Sequence, residues 1–268
     1  MRFLFLLAVA LSVSFIKPPT RWVAIGDSIT YLNDHTGETG GRLHKGYLSR
    51  VTAQLPGVQY INQGHNGWTS GGIAGAIDQL GIPVADVYTV FLGTNDWWRG
   101  DRIGAWTDYA RATGDTTVYG SFRIIVDKIR RLNDKARVVL ITPLPRTDFV
   151  YINDPHNNAY GSYKAKAGQT LGQVAGAILD IGEKEHFTVV DLYHDPRFAI
   201  PHLVHFKRLK DPATGQYKDY DYPTYTTIPW NPSDAYPYPP EAMDMTFDGL
   251  HPSDKGDSVI AEALVKVL

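Results

Sequence analysis

The chain has 268 residues, 43% hydrophobic and 20% charged, with a formal net charge of −2. That length and composition suit a globular α/β protein whose core needs no covalent staples, and the near-neutral charge gives no reason to expect nucleic acid or an anionic membrane as partner. There are no cysteines, which excludes disulfides, thiolate nucleophiles and cysteine-based zinc sites.

Residues 1–19 carry one arginine, an apolar run and the small-x-small pattern Ser12-Val13-Ser14. This reads as a secretory signal peptide, too short for a membrane span. The expected mature chain therefore starts between Phe15 and Thr20, has no membrane span and is exported to the periplasm or beyond. The absence of cysteine is compatible with that destination.

Trp22 to Ile25 reads as a first strand, and Tyr47, Leu48, Val51 and Leu55 give helical spacing over 46–54. Val58–Ile61 is a second strand, Ile73–Leu80 a short helix, and Asp86–Leu92 a third, strongly apolar strand. Helical spacing returns over 119–132, followed by a fourth strand at 137–142. A helix over 165–184, a fifth strand over 188–192 and a last helix from Pro252 complete the pattern. The strands are apolar throughout rather than alternating, as in parallel sheets covered on both faces. Strands alternating with helices predict a three-layer α/β/α sandwich with about five parallel strands. Between His194 and Met245 the chain is rich in proline and tyrosine and cannot form regular helix. Its aromatic content predicts an ordered loop.

Ligands of such a sheet bind outside the C-terminal ends of the strands. Gly26-Asp27-Ser28 follows the first strand, Asn62-Gln63-Gly64-His65-Asn66-Gly67 the second, and Gly93-Thr94-Asn95-Asp96 the third. Asp248-Gly249-Leu250-His251 follows the loop beyond the fifth. The set suffices for acyl transfer. A serine hydroxyl becomes nucleophilic when a histidine takes its proton. A carboxylate three residues ahead can hold the imidazole in the needed tautomer. The N–H groups of Ser28 and Gly67 and the side-chain amide of Asn95 can receive an oxyanion.

These blocks, GDS, NxGxxG, GTND and DxxHP in chain order, resemble those of the SGNH (GDSL-type) hydrolases, over Val23 to Pro252. The resemblance implies a flavodoxin-like sheet and one hydrolase domain over 20–268, with no required metal or cofactor. It implies Ser28 as nucleophile, His251 as base, Asp248 as its orienting acid, and Ser28, Gly67 and Asn95 as the oxyanion hole. The 194–245 insertion departs from the family pattern and leaves pocket shape and substrate open. His44, His65 and His156 lack metal-ligand spacing, and His202 with His205 lacks a third ligand. Trp68, Trp97 and Trp98 follow the second and third blocks. With the tyrosine-rich insertion they suggest a carbohydrate-shaped cleft. The expected function is an exported serine esterase removing a small acyl group, acetyl, from a small-molecule or glycan ester. Lipase, thioesterase and polysaccharide acyltransferase activities use the same residues, and a non-catalytic carbohydrate-binding protein is the rival of another class.

Overall fold

The computed structural model describes residues 18–268, so the predicted leader lies, but for its last two positions, outside the described residues. Five parallel strands form the central sheet: β1 (Thr20–Gly26), β2 (Val58–Gly64), β3 (Val87–Phe91), β4 (Arg137–Ile141) and β7 (Thr188–Val190), in the order β2-β1-β3-β4-β7. The chain leaves β1 for the β2 edge and then crosses to β3. The crevice between the ends of β1 and β3 is therefore the topological switch point at which α/β sheets bind ligands.

Strand side chains alternate between two cores, because successive Cβ atoms point to opposite faces. Val23 and Ile25 of β1, Tyr88 and Val90 of β3, and Val138 and Leu140 of β4 face one core. It is roofed by α3 (Ser70–Ala76), α6 (Val118–Leu132) and α7 (Leu171–Glu185). Trp22, Ala24, Val87, Phe91, Val139 and Ile141 face the other, under α2 (Tyr47–Gln54) and α8 (Asp254–Val265). The three-layer prediction holds because both faces of the central strands are apolar and both are covered.

Several boundaries differ from the sequence reading. Helix α7 starts at Leu171, not Ala165, because Ala167 and Gly168 are left-handed, with φ of 50° and 76°. The start is fixed by Thr170, whose Oγ1 accepts from Gln173 N at 3.1 Å while its N–H donates to the Gln173 side chain at 2.8 Å. Helix α3 starts earlier than expected, capped by Thr69. Helix α8 begins after Ser253, whose hydroxyl accepts from the N–H groups of Lys255 and Gly256, so Pro252 precedes the cap. The short helices α1 (Ser28–Tyr31), α4 (Thr94–Arg99) and α5 (Trp106–Ala110) were not predicted. Nor was the hairpin of β5 (Phe149–Tyr151) and β6 (Asp154–Ala159), which rises after β4.

The 194–245 segment is ordered around short 3-10 turns and the hairpin of β8 (Lys207–Lys210) and β9 (Tyr217–Tyr220). It buries Val204, Leu209, Tyr225 and Tyr238 together with Val150. Among the described residues no helix is long and apolar enough to cross a membrane.

Candidate active site

Ser28 opens helix α1, directly after β1. Asp27 caps that helix, its carboxylate accepting from Ile29 N at 3.0 Å. The serine thus sits where the chain turns off the switch-point strand, only 5% exposed. The N–H groups of a first helical turn have no partner within the helix.

Asp248 and His251 come from the turn before α8, distant in sequence from Ser28. One Asp248 oxygen accepts from the N–H groups of Leu250 and His251, at 3.0 and 2.8 Å. The other lies 2.7 Å from His251 Nδ1. Since the carboxylate can only accept, Nδ1 carries the hydrogen, and Nε2 is left as an acceptor. Nε2 lies 2.8 Å from Ser28 Oγ, which donates to it. Phe247 stacks on the imidazole at 5.8 Å between centroids, and Phe149 meets it edge-on at 5.4 Å. Both rings hold it against rotation.

The turn itself is held by glycine. Gly249 has φ of 89°, and a Cβ there would lie 2.0 Å from the Asp148 carbonyl oxygen. This close approach lets Thr147 N donate to Gly249 O at 3.0 Å and Val150 N to Asp248 O at 3.3 Å. The turn is therefore stitched to the chain that follows β4.

Ser28, Gly67 and Asn95 line one cavity with Asp248 and His251. Gly67 is left-handed, with φ of 75° and open space around its α-carbon, and Arg99 holds its carbonyl at 2.7 Å. The Asn95 amide donates to Trp68 O at 3.0 Å, which fixes its orientation beside the serine. Leu32, Phe149, Ala159, Phe247 and Leu250 make one part of the remaining wall apolar, and Glu38, Asn66, Arg146 and Asn157 make another part polar. The cavity measures about 140 Å³, below the roughly 300–1,000 Å³ typical of pockets for drug-sized ligands.

The family model for GDSL-like lipase/acylhydrolase proteins matches residues 24–259. The chain belongs to the GDSL-like lipase/acylhydrolase family. A crystal structure of a possible lipase from Chitinophaga pinensis has 61% sequence identity with this GDSL-family chain and a TM-score of 0.92, over 92% of this chain and 97% of that one. Two more distant structures share the fold. A Lactobacillus plantarum protein has 21% identity and a TM-score of 0.60, over 94% of this chain and 97% of its own. An acetylxylan esterase from Geobacillus stearothermophilus has 19% identity and a TM-score of 0.54, over 94% and 95%. The comparison with curated proteins returned no match. Membership in this family of ester-cleaving enzymes gives the chain an ester as substrate.

The tryptophans separate. Trp98 lines the cavity, whereas Trp97 is 1% exposed and belongs to the core, with its indole N–H on Gln169 O at 3.1 Å. Trp68 packs beside His65, its ring centroid 4.8 Å from the imidazole, and is absent from the cavity wall. No residue of 194–245 lines this cavity, but Lys207, Thr226, Ile228, Pro229 and Trp230 of the insertion line a groove that shares Trp98, Phe149 and Ala159 with it. The insertion's tyrosines stand behind the site. Tyr238 donates to Asp148 O, Thr147 donates to the Tyr225 hydroxyl at 2.7 Å, and Tyr236 donates to Val150 O at 2.9 Å. They brace the chain on which the Asp248–His251 turn rests.

Sequence reading passed over the segment after β4, Pro143-Leu144-Pro145-Arg146, although the rule applied to the other strand ends pointed there too. Arg146 is 1% exposed and lines the cavity. Burial lowers its guanidinium to about 10, still charged at neutral pH. Burial also raises two carboxyls beside the site, Asp27 to about 7 and Asp96 to about 6. Asp96 is used structurally, accepting from Ser70 N at 3.0 Å and from its hydroxyl. Among the described residues no three or more His, Asp or Glu side chains gather as a metal-ligand set.

Proposed function

We propose that this GDSL-family protein is a serine esterase that removes a small acyl group, acetyl, from a carbohydrate. The observation that carries the reading is the 2.8 Å contact of Ser28 Oγ with the imidazole nitrogen opposite Asp248. Ser28 Oγ attacks the ester carbonyl carbon as His251 Nε2 takes the hydroxyl proton. Asp248 stabilises the imidazolium through Nδ1–H. The oxyanion is received by the N–H groups of Ser28 and Gly67 and by the amide of Asn95. The intermediate collapses, His251 Nε2 gives its proton to the leaving alcohol oxygen, and the acyl group stays on Ser28. Water, deprotonated by the same imidazole, then attacks the acyl-enzyme and releases the acid.

The small size of the cavity and the apolar part of its wall support a short acyl chain. An open groove adjoins it, sharing Trp98, Phe149 and Ala159 and adding Tyr160, Tyr163 and Trp230. Such flat, wet aromatics suit a sugar as the alcohol. The leader read over 1–19 supports export. The 61% identical structure described as a possible lipase favours a second reading, long-chain ester cleavage. A series of p-nitrophenyl esters tests both. Acetate should turn over fastest, and Ser28→Ala should lower its kcat by roughly 10³–10⁶-fold. Undiminished turnover by Ser28→Ala would remove Ser28 as nucleophile. A rate that climbs with chain length would replace the acetyl esterase with a lipase.

A further inference from the structure

Arg146 is a buried cation that no carboxylate among the described residues contacts; the charges of Asp148 and Asp248 act on it only from beyond ion-pair distance. Among the described residues its guanidinium makes one hydrogen bond, from Nη2 to Tyr160 O at 3.2 Å, and no ion pair. Its Nε is buried without a partner. The nearest chain carboxylate in sequence, Asp148, is already taken: Lys207 pairs with it at 2.8 Å, and Gly161 N and the Tyr163 hydroxyl donate to its other oxygen. Asp248 is committed to His251 and two backbone N–H groups. Glu38, in the cavity wall, accepts from the Tyr31 hydroxyl at 2.9 Å. Burying a charge that no opposite charge contacts is unfavourable unless a partner completes it. The indoles of Trp97 and Trp98, each centred 5.0 Å from the guanidinium carbon, offset part of that and fix the plane of the group.

Two further lysines stand nearby, besides the Lys207–Asp148 pair that also lines the groove. Lys166 lies 4.2 Å from the Trp98 ring centre, and Lys164 lies within 5.7 Å of the Tyr160 ring centre. Neither lysine is in an ion pair among the described residues. Lys164 lines the groove that continues from the cavity past Trp98. The apolar part of the wall beside Ser28 suits the acyl group; Arg146 lines the same cavity and stacks on Trp98, so the alcohol portion of the ester passes the guanidinium before it extends past Trp98 along this groove. Guanidinium is the group best matched to a carboxylate, through planar, charge-assisted hydrogen bonds.

Building on the esterase reading above, we propose that the alcohol portion of the substrate carries a carboxylate, a uronic acid being the sugar of that kind, and that Arg146 is the residue that binds it. A neutral ester leaves the guanidinium unpaired and is the poorer substrate.

The test compares acetate release from per-O-acetylated methyl glucuronoside with release from its carboxyl methyl ester, which differs in charge at one position. Wild type should favour the free acid by at least ~10-fold in kcat/KM, and Arg146→Gln should bring the ratio to within about twofold of one. A wild-type ratio of one, or an Arg146→Gln ratio as large as wild type, overturns the proposal. Should Arg146→Gln fail to fold, competition decides on wild type alone. Methyl glucuronoside should inhibit p-nitrophenyl acetate hydrolysis competitively and methyl glucoside should not, whereas equal inhibition overturns it. Failure of the esterase reading looks different: no hydrolysis of p-nitrophenyl acetate at all, with quenching of tryptophan fluorescence by methyl glucuronoside then reporting on Arg146 independently.

Discussion

Asp27 shows how one residue can serve the site at the expense of the fold. It caps the first turn after β1 and is 2% exposed. Desolvation by burial raises its carboxyl from 3.8 to about 7, and the hydrogen bond from Ile29 N only partly opposes this. The folded state therefore holds a proton that the unfolded chain releases near pH 4. For an acid shifted upward, folding stability falls as pH rises from about 4 to 7 and stays low above that window. Asp96 adds to the same slope, with its pKa raised to about 6. Asparagine copies protonated aspartate in shape and keeps an acceptor for Ile29 N. Asp27→Asn is expected to leave stability at pH 4 nearly unchanged and to raise it at pH 8, by up to ~4 kcal/mol. Denaturant titrations at the two pH values check this; an equal effect at both would show that the carboxyl is ionised throughout. The tryptophans teach a related lesson. Trp97 and Trp98 are adjacent positions of helix α4, about 100° apart around its axis. One can face the cleft only if the other turns inward.

At the scale of elements, the turn before α8 is a designed contact rather than a loose link. Its glycine lets two chains touch, and its carbonyls receive the N–H groups of Thr147 and Val150. Gly249→Ala places a methyl group against the Asp148 carbonyl at a left-handed position, so the turn must lift away and carry Asp248 with it. A loss of more than ~2 kcal/mol and at least ~10²-fold in kcat is expected. Gly168→Ala is the control: its φ is 76° but nothing lies within 4 Å of the added Cβ, so about 1 kcal/mol is lost and activity stays. Urea midpoints and acetyl ester turnover of the two variants measure the difference. If they behaved alike, the close approach at Gly249 would carry no weight. The element boundaries that sequence reading misplaced share one cause. Apolar periodicity continues through residues whose backbone has already turned, as at Ala167 and Gly168 before α7. Caps and positive φ decide such ends, not hydrophobic spacing.

Across the whole molecule, the 194–245 segment acts as a buttress. It contributes no wall of the cavity beside Ser28, though Trp230 and its neighbours line the adjoining groove, and three of its tyrosines reach the Thr147–Val150 chain that supports the Asp248 turn. Tyr238→Phe removes one brace without touching the cleft. It should lower stability by ~1–2 kcal/mol and reduce kcat for p-nitrophenyl acetate with KM unchanged. A rise in KM with kcat intact would instead place the segment over the substrate as a lid. By itself the sequence determined the layer architecture and the residues that gather at the strand ends, because near-continuous apolar strands force a doubly covered parallel sheet. The crossover rule then places every strand's C-terminal end on one rim. Tertiary structure alone decided which of those residues face the cavity, where the insertion packs, and that Arg146 stands there unpaired. These depend on rotation about helix axes, on close backbone approaches and on which charges come into contact, none of which leaves a period in the chain.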